Sequence, residues 1–295
     1  MTGLVGALEI GGTHVSAGRV DVARSRLDPS GLRRFSFGVQ SAREGLLAVI
    51  TKAALDVARP EIDLWAIATP GPFDYDGGVS KIRGMGKLDG LYGVDLRDRL
   101  ARALGFAHPD RVRFLNDAQA FVLGGWWAGA ARGYRRAMGV TLGTGLGSGF
   151  LDGGELVVSG PDVPPEARLD LVPFRGRAIE DVVSSRGVAA AFGRSVEVVD
   201  IARRARDGDE GAAAAFRGFG SSLGAFLDPW VSRFAPTCLV FGGSIARAWD
   251  LFGEAFLESC PEAARLERCS PADHVDEAPL LGAALHAVRS QSEPG

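Results

Sequence analysis

Lysine is scarce: Lys52, Lys81 and Lys87 are the only three among 33 basic residues, the remainder being arginine, which reads as a genomic composition preference. Cysteine is equally sparse. Cys238, Cys260 and Cys269 are odd in number and have no paired short spacing, which excludes a disulfide framework and a cysteine-built zinc site. No apolar run approaches the roughly 18 to 20 residues of a membrane span, and the N-terminus has no basic start followed by an apolar stretch. A cytoplasmic protein with no membrane association is therefore expected. The formal charge of −3 leaves no basic surplus for neutralising phosphates, so nucleic acid is not an expected partner.

What is abundant is apolar residue and glycine. With 295 residues, 46% of them hydrophobic, the chain can bury the cores of one or two domains. Its 41 glycines are about twice the typical share of roughly 7% and fall in particular loops.

The run Leu4 to Ile10, the turn Gly11-Gly12-Thr13 and the stretch Val15 to Val20 predict a hairpin, with Phe35 to Val39 as a third strand. A helical period over Ala42 to Ala58 precedes a buried strand at Leu64 to Ala68, then a helix around Leu96 to Leu104 and a strand at Val112 to Leu115. After Asn116-Asp117 the plan repeats. A helix over Ala118 to Ala128 leads to a strand at Ala137 to Leu142, the loop Gly143-Thr144-Gly145, and hairpin partners at Ser148 to Leu151 and Glu155 to Val158. This suggests a duplicated architecture with two glycine turns facing one cleft. A Pro-rich stretch from Gly160 to Arg177 reads as an irregular loop. Beyond it come an Ala-rich helix from Gly208 to Leu227, a buried strand Cys238 to Phe241, a third turn Gly242-Gly243-Ser244 opening a helix, and a last helix over Leu280 to Val288.

Three generic motif matches fail on their surroundings. Gly84-Met85-Gly86-Lys87 has Lys81 where a P-loop needs its first glycine and Leu88 where it needs Ser or Thr. Gly220-Ser221-Ser222-Leu223-Gly224 is helical on both sides, unlike a nucleophile elbow, and reads as small residues at a helix contact. The loop Gly143 to Gly149 is followed by extended sequence, unlike a dinucleotide fingerprint.

The glycine turns remain as a phosphate site. Without Cβ atoms, backbone N–H groups approach an anion closely, and the adjacent Thr13 and Thr144 hydroxyls add donors. Each turn alone is equally a plain hairpin turn. Glu9 is an acid inside an apolar strand, so it needs a partner: a buried structural pair, a hydrogen bond or a metal. Asp117, between a strand and a helix, is either the helix cap or a carboxylate positioned to accept a proton from a hydroxyl nucleophile.

Seven fragments in this order resemble the ROK family (repressors, open reading frames and kinases) of sugar kinases: Leu8 to Thr13, Thr69 to Asp74, Leu115 to Ala120, Leu142 to Gly149, Ile179 to Asp181, Val240 to Ser244 and Ala278 to Ala284. The resemblance implies an α/β, two-domain actin-like ATPase (ribonuclease H-like) fold with mixed sheets and flanking helices, closing over sugar and nucleotide. Residues 1–116, completed by a C-terminal helix over 279–295, would form the sugar and phosphate domain, and residues 117–278 the nucleotide-binding domain. It implies ATP as phosphate donor with Mg2+, and a homodimer. Asp117 takes the role of general base, and Asn116 that of a sugar-hydroxyl ligand. Gly71, in the second fragment, falls on the substrate side. Gly11, Gly12 and Thr13 with Gly143, Thr144 and Gly145 face the phosphates, and Gly242, Gly243 and Ser244 the adenosine. Glu9, where the family usually has Asp, reaches magnesium through a water. The implied reaction is in-line γ-phosphoryl transfer to a sugar hydroxyl, expected to be a primary one.

The departures concern the substrate. Family members usually carry Glu-x-Gly-His followed by a cysteine cluster that binds a structural zinc; here the stretch is Pro165-Glu166-Ala167-Arg168-Leu169, with no Cys or His before Ile179. No zinc is expected. Glu166 is read as the retained sugar-contacting glutamate, with Leu169 in the histidine position, which opens the alternative of a modified sugar or a carbocyclic polyol. Gln119 replaces the usual second Asn. Lys87 falls in a sugar-contacting segment, where a cation suits an acidic or phosphorylated substrate, the plainer reading being a solvated lysine. Two rivals of other classes are a sugar-responsive repressor, for which the strand beginning at Leu4 leaves no expected room ahead, and a catalytically silent sugar sensor.

Overall fold

The computed structural model describes residues 3–29, 31–38, 42–84 and 86–292. The first apolar run forms β1 (Leu4–Ile10), and the glycine turn returns the chain antiparallel into β2 (His14–Asp21), with Glu9 opposite Ser16. Strands β3 (Arg26–Leu27) and β4 (Arg33–Ser36) both pair with β2. The third strand therefore lies earlier than Phe35 to Val39, and Val39 itself falls outside the described residues. Helix α1 (Arg43–Val57) turns Leu46, Leu47, Ile50, Ala53, Ala54 and Val57 inward, the spacing expected of a helix covering one sheet face. It leads to β5 (Trp65–Thr69), parallel to β1 and buried throughout. A small hairpin follows, β6 (Phe73–Asp74) and β7 (Val79–Ser80), then a 3-10 turn at Gly86–Leu91. Helix α2 (Leu96–Ala103) starts where the Asp95 carboxylate accepts from the Asp98 amide at 2.8 Å. Strand β8 (Val112–Asn116) adds in parallel to β5 and runs directly into α3 (Asp117–Ala128).

The second sheet repeats the plan of the first. Strands β9 (Arg136–Leu142) and β10 (Leu146–Asp152) are antiparallel across the second glycine turn, and β11 (Glu155–Leu156) continues the meander. The proline-rich stretch is built of 3-10 turns at Pro165–Ala167 and Leu169–Leu171, then a hairpin, β12 (Pro173–Phe174) and β13 (Arg177–Ala178), with a further 3-10 turn at Ile179–Asp181. Helices α4 (Ser185–Phe192), α5 (Val198–Arg206) and α6 (Glu210–Phe234) precede β14 (Cys238–Gly242), which is parallel to β9. Helix α7 (Trp249–Ser259) leads to the edge strand β15 (Arg268–Pro271), parallel to β14. The sheet orders are β3-β2-β1-β5-β8, with β4 also on β2, and β11-β10-β9-β14-β15.

The last helix, α8 (Ala278–Ser292), returns to the first sheet. Two compact units result: Met1–Ala128 with Asp276–Gly295, and Gly129–Val275. The boundary expected at 116/117 lies at 128/129 because α3 packs on α8. At that crossing a Cβ on Gly124 would overlap the Ala278 carbonyl and one on Gly282 the Ala120 carbonyl, so the two backbones touch. Gly220 and Gly224 serve α6 in the same way against the Phe252 and Phe256 carbonyls, the small-residue contact read from the sequence. Each unit has its own apolar core, around Trp65, Ile67 and Ile50 in the first and Phe216, Phe241 and Phe256 in the second. No helix among the described residues is long and apolar enough to cross a membrane.

Candidate active site

In the first unit the chemistry gathers at the C-terminal ends of β1, β5 and β8. Asn116 and Asp117 share the strand-to-helix junction, and the structure gives the capping role to Asn116. Its Oδ1 accepts from the Ala118 and Gln119 amides, both at 3.1 Å. The Asp117 carboxylate accepts from the adjacent Ala118 amide at 2.9 Å and is half-buried as the first residue of α3. Capping therefore does not explain Asp117. Asn116 Nδ2 donates to the Tyr75 hydroxyl at 3.1 Å, and that hydroxyl donates to the Thr69 carbonyl at 3.2 Å. Tyr75 thus orients the Asn116 amide, a role with no sequence signal beyond its nearness to the Thr69 to Asp74 motif. Gly71 lies in that motif's turn, where the Gly71–Pro72 peptide is cis.

Glu9 lies near the end of β1 and is electrostatically coupled to Asp117. Burial first, then the charges of Asp117 and Asp276, push its carboxyl up to about 7, against a hydrogen bond from Ser16 and the charge of Arg34. The first glycine turn closes where the Gly11 amide donates to the His14 carbonyl at 2.9 Å. Gly12 and Thr13 are exposed at its tip. Arg34 donates to His14 Nδ1 at 3.3 Å, which makes that nitrogen the acceptor, and the Thr13 hydroxyl is 3.1 Å from it. Burial and the Arg34 charge lower the His14 imidazole to about 4, so it is neutral at ordinary pH. Lys87 lies in the 3-10 turn at Gly86–Leu91; its side chain is outside the described part.

The second unit assembles the other two glycine turns. The Gly143 amide donates to the Gly145 carbonyl at 3.0 Å, and the Gly143 carbonyl accepts from the Ser185 amide at 2.8 Å and the Ser185 hydroxyl at 2.9 Å. Glu180 closes the other side: its Oε1 accepts from the Leu146 amide at 2.9 Å and lies so near Gly145 that a Cβ there would push the carboxylate aside. These bonds leave Thr144 exposed; its hydroxyl and the Thr144 and Gly145 amides have no partner among the described residues. They are the donors available to an anion. Gly242 ends β14 opposite Thr141, and Gly243 follows at φ 81° with its α-carbon against the Leu142 backbone, a position only glycine fills. A Cβ on Gly143 would be 3.8 Å from Ser244 Oγ, so the second and third turns are neighbours. Sequence reasoning gave no role to Glu180 or Ser185, whose contacts depend on the fold of the intervening loop. Glu166 stands on that loop with its side chain 74% exposed, and Leu169 is fully buried in the core.

Residues 5–290 match the sequence profile of the ROK family. The chain belongs to the ROK family. It is 28% identical to the glucokinase of Thermotoga maritima across 83% of this chain and 84% of that protein. It is 29% identical to an N-acetyl-D-glucosamine kinase of Pectobacterium atrosepticum across 65% and 69% of the two chains. The structure superposes with a TM-score of 0.75 on a ROK family glucokinase from Streptomyces griseus solved with glucose and AMPPNP, at 23% identity, covering 97% of this chain and 100% of that one. The fold of this ROK protein is thus the actin-like ATPase fold. Among the described residues no group of three or more His, Cys, Asp or Glu is placed to hold a metal ion. A carboxylate whose proton is held first by burial and then by two neighbouring acids would gain from a cation nearby, which suits a magnesium ion carried chiefly by nucleotide phosphates.

Proposed function

We propose that this ROK protein is an ATP-dependent sugar kinase in which Asp117 is the general base. The observation that carries the reading is the strand-to-helix junction: Asn116 takes the cap of α3 with two amide bonds, and the half-buried Asp117 carboxylate beside it is coupled to Glu9. Asp117 accepts the proton of a sugar hydroxyl while that oxygen forms a bond to the γ-phosphorus and the bond to the β,γ-bridging oxygen breaks, releasing ADP. The Thr144 and Gly145 amides and the Thr144 hydroxyl donate to phosphate oxygens as charge redistributes, and Gly11, Gly12 and Thr13 do the same from the first glycine turn. Magnesium on the nucleotide supplies positive charge to those oxygens, with Glu9 as the residue that would hold it through a water. Gly242, Gly243 and Ser244 face the adenosine. Asn116, oriented by Tyr75, binds a sugar hydroxyl, and Gly71, Lys87 and Glu166 complete the substrate contacts. The names of the curated relatives support a hexose or an N-acetylated amino sugar as substrate. A cytoplasmic homodimer is part of the same reading, and light scattering of the purified protein tests its oligomeric part.

The experiment is ATP consumption with magnesium across hexoses, amino sugars and cyclitols, with Asp117→Asn and Asp117→Ala alongside. Turnover confined to one sugar class and reduced by about 10²- to 10⁴-fold in both variants is expected. Calorimetric sugar binding without turnover by any member of the panel would replace the kinase with a sensor.

A further inference from the structure

The loop that carries Glu166 is held in a conformation its residues do not favour. Glu166 and Ala167 are consecutive non-glycine residues with φ of 57° and 54°, both in the left-handed region. Two such residues in a row persist only where the surroundings over-determine them. Here one side chain from outside the loop adds to two turn bonds, from the Ala167 amide to the Pro164 carbonyl at 2.8 Å and from the Arg168 amide to the Pro165 carbonyl at 3.0 Å. Ser148, buried in β10, donates its hydroxyl to the Ala167 carbonyl at 2.7 Å and accepts from the Leu169 amide at 3.1 Å. One hydroxyl therefore fixes the backbone on both sides of Arg168. Ala167 and Leu169 are buried as anchors, and Arg168 is tied to Asp170 through both its Nε and Nη2. Glu166 is the residue left projecting, and its carboxylate is 4.0 Å from the Arg168 guanidinium.

We propose that Ser148 is a positioning residue for the substrate: by locking the left-handed Glu166–Ala167 pair it presents the Glu166 carboxylate to the sugar. The inference rests on the reading of Glu166 as a sugar contact. Ser148 follows the second glycine turn by three residues on the same strand, so one strand carries the phosphate turn at its start and the support of the sugar contact just beyond. In this chain the loop is fixed by the Ser148 hydroxyl from β10 together with its own turn hydrogen bonds and apolar anchors.

Steady-state kinetics on Ser148→Ala, Ala167→Gly, the double variant and Glu166→Gln, with the sugar and ATP varied separately, test the proposal. Ser148→Ala removes both hydrogen bonds and is expected to raise the sugar KM at least about tenfold, with kcat and the ATP KM nearly unchanged. Glycine adopts the left-handed region without steric penalty, so Ala167→Gly in the double variant recovers part of the sugar KM lost in Ser148→Ala. Simple destabilisation of the core would not be rescued by removing a further buried methyl. If Ser148→Ala does not fold, Ser148→Cys, a near-isostere with a weaker donor, replaces it, with the same KM split expected in smaller measure. An unchanged sugar KM in the serine variants, or a rise that Ala167→Gly does not lessen, overturns the positioning role. An unchanged sugar KM in Glu166→Gln beside a rescued rise in Ser148→Ala overturns the assignment of Glu166 and, with it, the claim that Ser148 acts through that carboxylate.

Discussion

Replacing Glu9 by glutamine isolates the cost of keeping a carboxylate near the end of β1. The Glu9 carboxyl stands at about 7 instead of the ordinary 4.5, through burial and the charges of Asp117 and Asp276. Below pH 4.5 the group is protonated in both folded and unfolded chains and costs nothing. As pH rises from 4.5 to about 7 the unfolded chain loses its proton while the folded one still holds it, so stability declines across that window and levels off above it. At 1.36 kcal/mol per pH unit the interval corresponds to a ceiling of ~3.4 kcal/mol. Glu9 is only partly removed from solvent, and screening reduces this to about 2 kcal/mol. Glutamine keeps an oxygen to accept from Ser16 and carries no charge. The variant is therefore expected to be more stable than the parent by about 2 kcal/mol at pH 8 and equal to it at pH 4. Urea unfolding at fixed pH values, followed by hydrogen exchange in β1 and β5 peptides, reads the first unit by itself. A stability difference that stays constant from pH 4 to 8, or a variant weaker than the parent at pH 8, refutes the reasoning.

Other predictions concern separate parts of the molecule. Because Glu180 Oε1 accepts the Leu146 amide, Glu180→Ala should raise the ATP KM about tenfold in initial-rate assays, and Glu180→Gln, which retains an acceptor oxygen, should raise it less. Gly282→Ala places a methyl on the Ala120 carbonyl and should destabilise the first unit by about 1–3 kcal/mol in denaturant titrations, without altering the nucleotide KM. His14 has its folded value lowered to about 4 from 6.5, so stability should fall as pH drops through that interval while the unfolded chain takes up the proton. His14→Gln should flatten the fall, as seen in unfolding midpoints between pH 4 and 7.

The strands and helices that pair through short connections were legible from periodicity, because glycine turns and apolar alternation are local signals. Strand β15 was not, since the Arg268–Pro271 segment is half-buried and polar and becomes a strand only through its parallel partner β14. The division expected before α3, at 116/117, lies after it for a related reason. The small residues Gly124 and Gly282 that join α3 to α8 lie far apart in sequence, and their meeting is a tertiary fact. At the candidate site the glycine turns and the Asn116-Asp117 pair were visible as motifs, whereas the division of labour between cap and carboxylate was not. Either residue type caps a helix equally well, and only the Oδ1 distances assign the job to Asn116. Tyr75, Ser148 and Glu180 act by contacts that span loops, which no spacing rule reports.

The return of α8 to the first sheet has a consequence for how the chain is made. Residues Gly129–Val275 form one contiguous unit, while the unit begun by β1 is not finished until α8 has left the ribosome. Its apolar side, with Leu280, Leu281, Ala284 and Leu285, completes the cover of β1, β5 and α3. Folding order therefore runs against chain order. The inserted unit can close first, and the N-terminal sheet waits with one face only partly covered by α3 until some 150 further residues have been synthesised. During that interval the exposed surface invites chaperone binding, and a nascent chain arrested just before α8 should be captured and cleaved in its first unit while the second already resists protease.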